Sequence, residues 1–342
     1  MIVFDSRKLG GYDVFFHVLG SALFNSHALP HGLAAGVIAT VFANVSVINA
    51  WLASSVLQAS GYFGGVSFIV SFVVVYRAQT AYQRYELSQI AYFNMTSKLR
   101  DFVSFVSAFT EPSKEGKLIS STVTRWIRAY HELAIEDFQG VDFHEHTRVN
   151  LTSNEALLLG RDRKRNVQIS SWIEMLLIEA RQHIRAGDAI LSRAFQILSD
   201  ANLYYNNARR ISETPFPFPF VQLTSMMIHM WLFMTPAVVG AVFPKSYLLA
   251  FFIAASGTWV LFAVNELAAI LENPWEENDN NLPTVYYTIA FDDDMSAIKY
   301  IKLPEVFDSL DTAKSDHDDG PQKPQLESSP PLAIPPQVPP QP

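Results

Sequence analysis

The chain has 342 residues, 49% hydrophobic and only 17% charged, against about 25% charged in soluble domains. Its formal net charge is −8, and no basic stripe of the kind that binds nucleic acid is present. It contains no cysteine, which excludes disulfides, thiolate catalysis and cysteine-based zinc sites.

The charge deficit is local. Between Asp13 and Arg77 there is no Asp, Glu, Lys or Arg, and between Glu213 and Glu266 the only one is Lys245. Each block holds two spans of about 20 residues. Residues 1–30 form an N-terminal segment whose stretch 12–26 is apolar but short, and reads as an interfacial helix. It lacks the basic, apolar and small-residue order of a signal peptide. Spans are expected over 32–52 and 60–78, within a membrane region 31–78.

Residues 79–213 are soluble in composition and helical in pattern. Leu87, Ile90, Phe93, Leu99 and Phe102 predict a helix over 85–110, ended by Glu111-Pro112-Ser113. Val123, Trp126, Ile127 and Tyr130 predict a second over 117–137. A long third helix is expected over 168–208, from Ile169, Ile173, Leu177, Ile184, Leu191 and Leu198. The polar segment 138–167 holds the basic run 161–165, read as a solvated face, with anion attraction toward a pore as the sharper alternative.

Thr214-Pro215-Phe216-Pro217-Phe218-Pro219-Phe220 opens the region 214–271. Its alternate prolines break the preceding helix and favour a rigid extended segment. Spans follow over 220–243 and 246–271. At Asn273-Pro274 the last one stops, because proline lacks the N–H and pushes its predecessor out of the α region. The region 272–312 begins with a run rich in carboxylates and amides, Glu277-Asn278-Asp279-Asn280-Asn281. All are oxygen donors of the kind a hard cation takes. From 313 to 342 the chain is a Pro-rich, disordered tail. Arg7 and Lys8 precede the first span, while Arg77, Arg84, Lys98 and Arg100 follow the second. The positive-inside rule puts both termini and residues 79–215 on the cytoplasmic side.

No Gly-rich phosphate loop, H-E-x-x-H or G-x-S-x-G motif occurs, so no enzyme is expected. His144 and His146 flank Glu145 without another obvious metal ligand. The second span carries the best functional surface. Gly64, Phe68 and Phe72 stand at i, i+4 and i+8 on one face, bordered by Gly61, Gly65, Ser71 and Tyr76. Val66, Ile69, Val70, Val73 and Val74 make the other side. Such a face suits helix packing, a partner or a pore. One helix cannot enclose a pore, so that last reading requires a cyclic oligomer.

The order of these segments resembles the bestrophin family, and its bacterial and plant or algal branch most. The resemblance rests on Val66-Ser67-Phe68-Ile69-Val70-Ser71-Phe72, then Tyr76-Arg77-Ala78-Gln79-Thr80-Ala81-Tyr82-Gln83-Arg84-Tyr85, Thr214-Pro215-Phe216-Pro217-Phe218, and Glu272-Asn273-Pro274-Trp275 with its acidic and Asn run. It covers roughly residues 30–310. It implies an all-α integral membrane protein, with four transmembrane helices per subunit and a helical cytosolic domain, assembled with identical subunits as a homopentamer. Members are ion channels whose pore passes a narrow neck lined by the second span, then a cytosolic vestibule with an aperture. The neck here would be Phe68 and Phe72, with Gly64 at a first position where the family usually has a larger apolar residue. Either the upper neck is wider, or the register is shifted by a turn. By the same alignment the aperture falls at Ile190 or Leu191, and Pro215 and Pro217 match the family's turn near the neck base.

Most eukaryotic members pass chloride and other small anions such as bicarbonate or nitrate, and some bacterial ones pass cations. Anions are favoured here, because Phe edges carry partial positive charge. Hydration cost then favours large, easily dehydrated anions. A monovalent-cation channel of the same fold and a non-conducting membrane scaffold are the alternatives. No cofactor is expected. In calcium-activated animal members the run matching 277–281 is nearly all acidic and clasps calcium. Asn supplies a neutral oxygen, and affinity follows ligand charge, so calcium is disfavoured and a hydrogen-bonded belt, tied to the N-terminal segment, is expected. The membrane is expected to be a plasma or bacterial inner membrane, with a plastid thylakoid membrane as the alternative.

Overall fold

The computed structural model describes residues 21–24, 27–45, 60–141, 150–160, 164–276, 278 and 280–300. Outside them fall most of the expected interfacial segment 12–26, residues 46–52 of the first expected span, His144 and His146, and residues 161–163 of the basic run. Glu277, Asp279 and the tail 313–342 are outside them as well. The described chain is helical, and its one β feature is an isolated bridge between Thr110 and Ile184.

The membrane-type helices are α1 (Ala28–Asn44), the first part of α2 (Ser60–Phe109), α7 (Phe218–Val242) and α8 (Tyr247–Glu272). By length and composition α2, α7 and α8 can cross a membrane. α1 is apolar but has 17 residues, short of the roughly 20 a bilayer core requires. It begins four residues before the expected start at 32. These helices approach closely because small residues meet at their crossings. A Cβ at Gly32 would lie 2.6 Å from Trp259 Cβ, and one at Gly240 would lie 2.7 Å from Phe42 Cβ. Lipid gives no hydrophobic drive for association, so close backbone approach supplies the attraction.

α2 is one helix of 50 residues. The span expected over 60–78 and the helix expected over 85–110 are therefore continuous. No proline falls between them, and nothing else in the backbone interrupts the ladder. The second half of α2 packs with α3 (Lys114–Gln139), α5 (Arg165–Glu179), α6 (Asp188–Glu213) and α9 (Thr284–Tyr300). Met95, Leu99, Phe102, Val123, Ile127, Tyr130, Ile169, Ile173 and Leu198 are fully or almost fully buried there.

Local signals place the ends. Ser113 caps α3 by accepting from Gly116 N at 3.0 Å, and Gly140 closes it in the left-handed region at φ 68°. The short α4 (Ser153–Leu159) starts with a capping box between Thr152 and Glu155. Burial alone would raise the Glu155 carboxyl, but hydrogen bonds from Arg125, the Thr152 backbone and Trp126 bring it down to about 2.

The helix expected over 168–208 is two helices. α5 ends at Glu179, a 3-10 turn spans Arg181–His183, and α6 starts after Gly187. Between them the chain runs extended against the end of α2: Glu111 N donates to His183 O at 2.9 Å, and Arg185 N to Phe109 O at 2.7 Å. Those bonds replace the helical ones that residues 180–187 would have made.

Candidate functional site

In its membrane half α2 is two-sided. Val70 and Val74 are buried among Ile228, Phe262 and Ala263. On the opposite side Phe68 is 73% exposed and Phe72 61%. A Cβ at Gly61, Gly64 or Gly65 would meet nothing within 4 Å. Phe68 and Phe72 lie stacked with centroids 6.4 Å apart, Phe72 and Tyr76 at 6.3 Å, and Tyr76 meets Phe220 edge-on at 5.8 Å. Gly64, Phe68 and Phe72 thus share one uncharged face that the subunit leaves open.

The base of this face is fixed by two arginines that the sequence reading used for topology and family resemblance, but not as site residues. Arg77 Nε donates to Glu272 Oε1 at 2.7 Å, and its Nη1 to Asn265 Oδ1 at 2.6 Å. Arg84 Nη2 donates to the carbonyls of Ile211 and Thr214, both at 2.8 Å, and Arg84 Nε to Glu272 O at 3.2 Å. Helix C-termini carry partial negative charge, and Arg84 stands where those of α6 and α8 converge. A signal was available: Arg77 falls on the buried row Val70, Val74, Ala81, and a charge on such a row demands a partner.

The proline turn bears out the expected break, with one correction. Pro215 to Pro217 are non-helical, but Pro219 sits inside the first turn of α7. A missing N–H costs nothing there, since those donors have no intrahelical partner. Asn273 and Pro274 end α8 as expected, with Asn273 at φ −120° and ψ 84°.

After that stop the chain folds back on itself. Asn281 is 1% exposed, and its Nδ2 donates to Asn273 O at 3.0 Å and to Glu276 O at 3.2 Å. Asn281 N donates to Asn278 O at 3.1 Å and Leu282 N to Pro274 O at 3.0 Å. Trp275 is wholly buried against Tyr92 and Phe138. The amide bonds described here close the belt on its own beginning, whereas residues 1–20 of the N-terminal segment expected to receive them lie outside the described residues. Among the described residues no group of three His, Asp or Glu side chains is placed to hold a metal ion.

This arrangement has known counterparts. Residues 7–292 match the family model described as bacterial/fungal bestrophin protein. The chain belongs to the bestrophin family. Its fold is similar to that of a bacterial bestrophin homologue from Klebsiella pneumoniae in a single-substitution form, with TM-score 0.70 and 12% identity over 81% of this chain and 100% of that one. A second structure of that homologue, phased on zinc, gives 0.68 and 12% over 80% and 98%. No individually curated protein matches the chain.

The two residues expected at the aperture differ in burial. Ile190 and Leu191 both lie in the first turn of α6, but Ile190 is 42% exposed and Leu191 only 8%. Leu191 belongs to the core with Ala194, Leu198, Ala201 and Tyr205, so it faces inward and Ile190 is the one left on the surface. The 3–4 spacing of those core residues carried that distinction.

Proposed function

We propose that this bestrophin is a homopentameric channel that passes small monovalent anions, chloride and also bicarbonate or nitrate, through a hydrophobic neck at Gly64, Phe68 and Phe72. The observation that carries this reading is the open, uncharged aromatic face of α2 in the half that also packs against α7 and α8. Five-fold symmetry turns this face into a ring. Apolar rings gate by dewetting, and ring edges offer partial positive charge to a dehydrated anion. Gly64 leaves the upper ring wide.

The belt supports a channel that opens without calcium. The carbonyls of Asn273 and Glu276 already accept from the Asn281 amide nitrogen, where a cation would need those oxygens as ligands. The reading is tested with purified protein in planar bilayers under a chloride gradient. The reversal potential should lie near the chloride equilibrium potential, and a value at the cation potential would overturn the anion assignment. Current should stay unchanged as calcium is titrated from chelated to millimolar, and steep submicromolar activation would overturn the calcium-independent part.

A further inference from the structure

Arg77 is the first charged residue below the neck, and it is buried. It continues the row Val70, Val74, Arg77, Ala81 by which α2 packs on its own subunit, so the guanidinium lies behind the aromatic face. Its partner Glu272 is nearly as dry: the two side chains are 5% and 16% exposed. A charge held in such surroundings escapes salt screening and acts through the protein over many ångströms. Charged groups among the described residues near this level include Arg84, held by backbone carbonyls, Glu266, which follows Asn265 on α8, and Glu213, next to the Thr214 carbonyl that Arg84 binds.

We propose that the Arg77–Glu272 pair determines which sign of ion passes the base of the neck, each charge being silent toward the ion path only because the other is present. This rests on the reading of α2 as the pore-lining helix. It adds a determinant of selectivity that is not on the pore surface: the lining is uncharged, and the fixed charge behind it is held in balance. A ring of subunits repeats any imbalance at every position, so a small effect per subunit is multiplied.

The test is the reversal potential under a salt gradient for Glu272→Gln, Arg77→Gln and the double variant. Glu272→Gln leaves the positive charge and should raise the anion-to-cation permeability ratio, on the order of tenfold. Arg77→Gln leaves the negative charge and should lower it by a similar factor. The double variant should return to the wild-type ratio. Looser packing would move both single variants the same way, so shifts of equal sign, or none in assembled channels, overturn the proposal. Where a single variant does not assemble alone, rings mixed with wild-type subunits carry the same test, the shift scaling with the variant share. A wild-type protein that conducts nothing overturns the channel reading and this inference with it. Wild-type conduction with unshifted variants overturns the inference alone.

Discussion

The two halves of this subunit hold together by opposite means. In the membrane half many packed positions are small, Ala28, Ala35, Ala39, Ala43, Ala250 and Ala254 with glycines at the closest crossings, beside a cluster of larger residues, Val70, Val74, Ile228 and Phe262. In the cytosolic half they are built from Met95, Leu99, Phe102, Tyr130, Ile169 and Trp275. Lipid is as apolar as a leucine side chain, so large residues gain nothing by turning inward and small ones gain close contact. Water rewards burying every large side chain, at about 25 cal/mol per Å². The same helix, α2, passes from one regime to the other near Arg77: Phe68 and Phe72 are exposed above it, and Tyr92 and Phe102 are buried below it.

That contrast can be broken most strongly from the cytosolic side. Phe102→Ala should lower unfolding stability by about 3–5 kcal/mol, read from denaturant titration of the purified protein, because a fully buried ring leaves a cavity. Next comes acid. His131 is wholly buried, and burial lowers it from its ordinary 6.5 to about 3. The unfolded chain takes up that proton near pH 6.5 and the folded one does not, so stability should fall as pH drops from there toward 3, by on the order of 3 kcal/mol. His131→Gln should flatten that limb of the stability curve.

In the membrane half the expected loss comes from adding atoms. Gly240→Ala should cost about 1–3 kcal/mol, since its Cβ would lie 2.7 Å from Phe42 Cβ and 3.2 Å from Ala39 O. The thermal midpoint in detergent reads it. A smaller effect comes from Glu132, beside His131. Burial raises its carboxyl to about 7, against a hydrogen bond from Asn150 that lowers it. The folded state therefore resists losing this proton, and stability should decline as pH rises from about 4.5 to 7. Glu132→Gln should remove that decline, gaining about 1 kcal/mol at pH 8, a discounted figure because the group is partly in water. Smallest of all, Phe68→Ala should change subunit stability by under about 0.5 kcal/mol while altering permeation. A large stability loss there would mean the ring is packing, not lining.

How far the sequence reached follows the same division. Charge-free blocks and the proline pairs marked the spans and their ends, because Pro215, Pro217 and Pro274 act locally. Periodicity also placed Gly64, Phe68 and Phe72 together, since one helix sets their spacing. It failed at residues 180–187, where Ala180 and Ile184 stay buried on the expected spacing although the backbone is not helical. A break that keeps its apolar residues on the core side leaves the pattern intact. The Arg77–Glu272 and Arg84 contacts span 127 to 195 positions of sequence, and no local pattern holds such pairs. Asn281 is expected from sequence in a hydrogen-bonded belt tied to the N-terminal segment, with calcium disfavoured, but the sequence does not name its acceptors. Its folded role follows from which end of the amide faces the carbonyls, which sequence does not encode.

One consequence of the long helix concerns mechanics. At 50 residues and 1.5 Å per residue it is a strut of about 75 Å, without proline anywhere and with glycine only at positions 61, 64 and 65. A strut anchored at Arg77 and Arg84 has no break near that anchor at which to bend. It tilts as a whole: from Arg77 to Ser60 the arm is about 25 Å, so a tilt of about 5° about that anchor carries the tip about 2 Å. The three glycines then sit where the travel is greatest, at the free end of a lever whose fulcrum is Arg77 and Arg84.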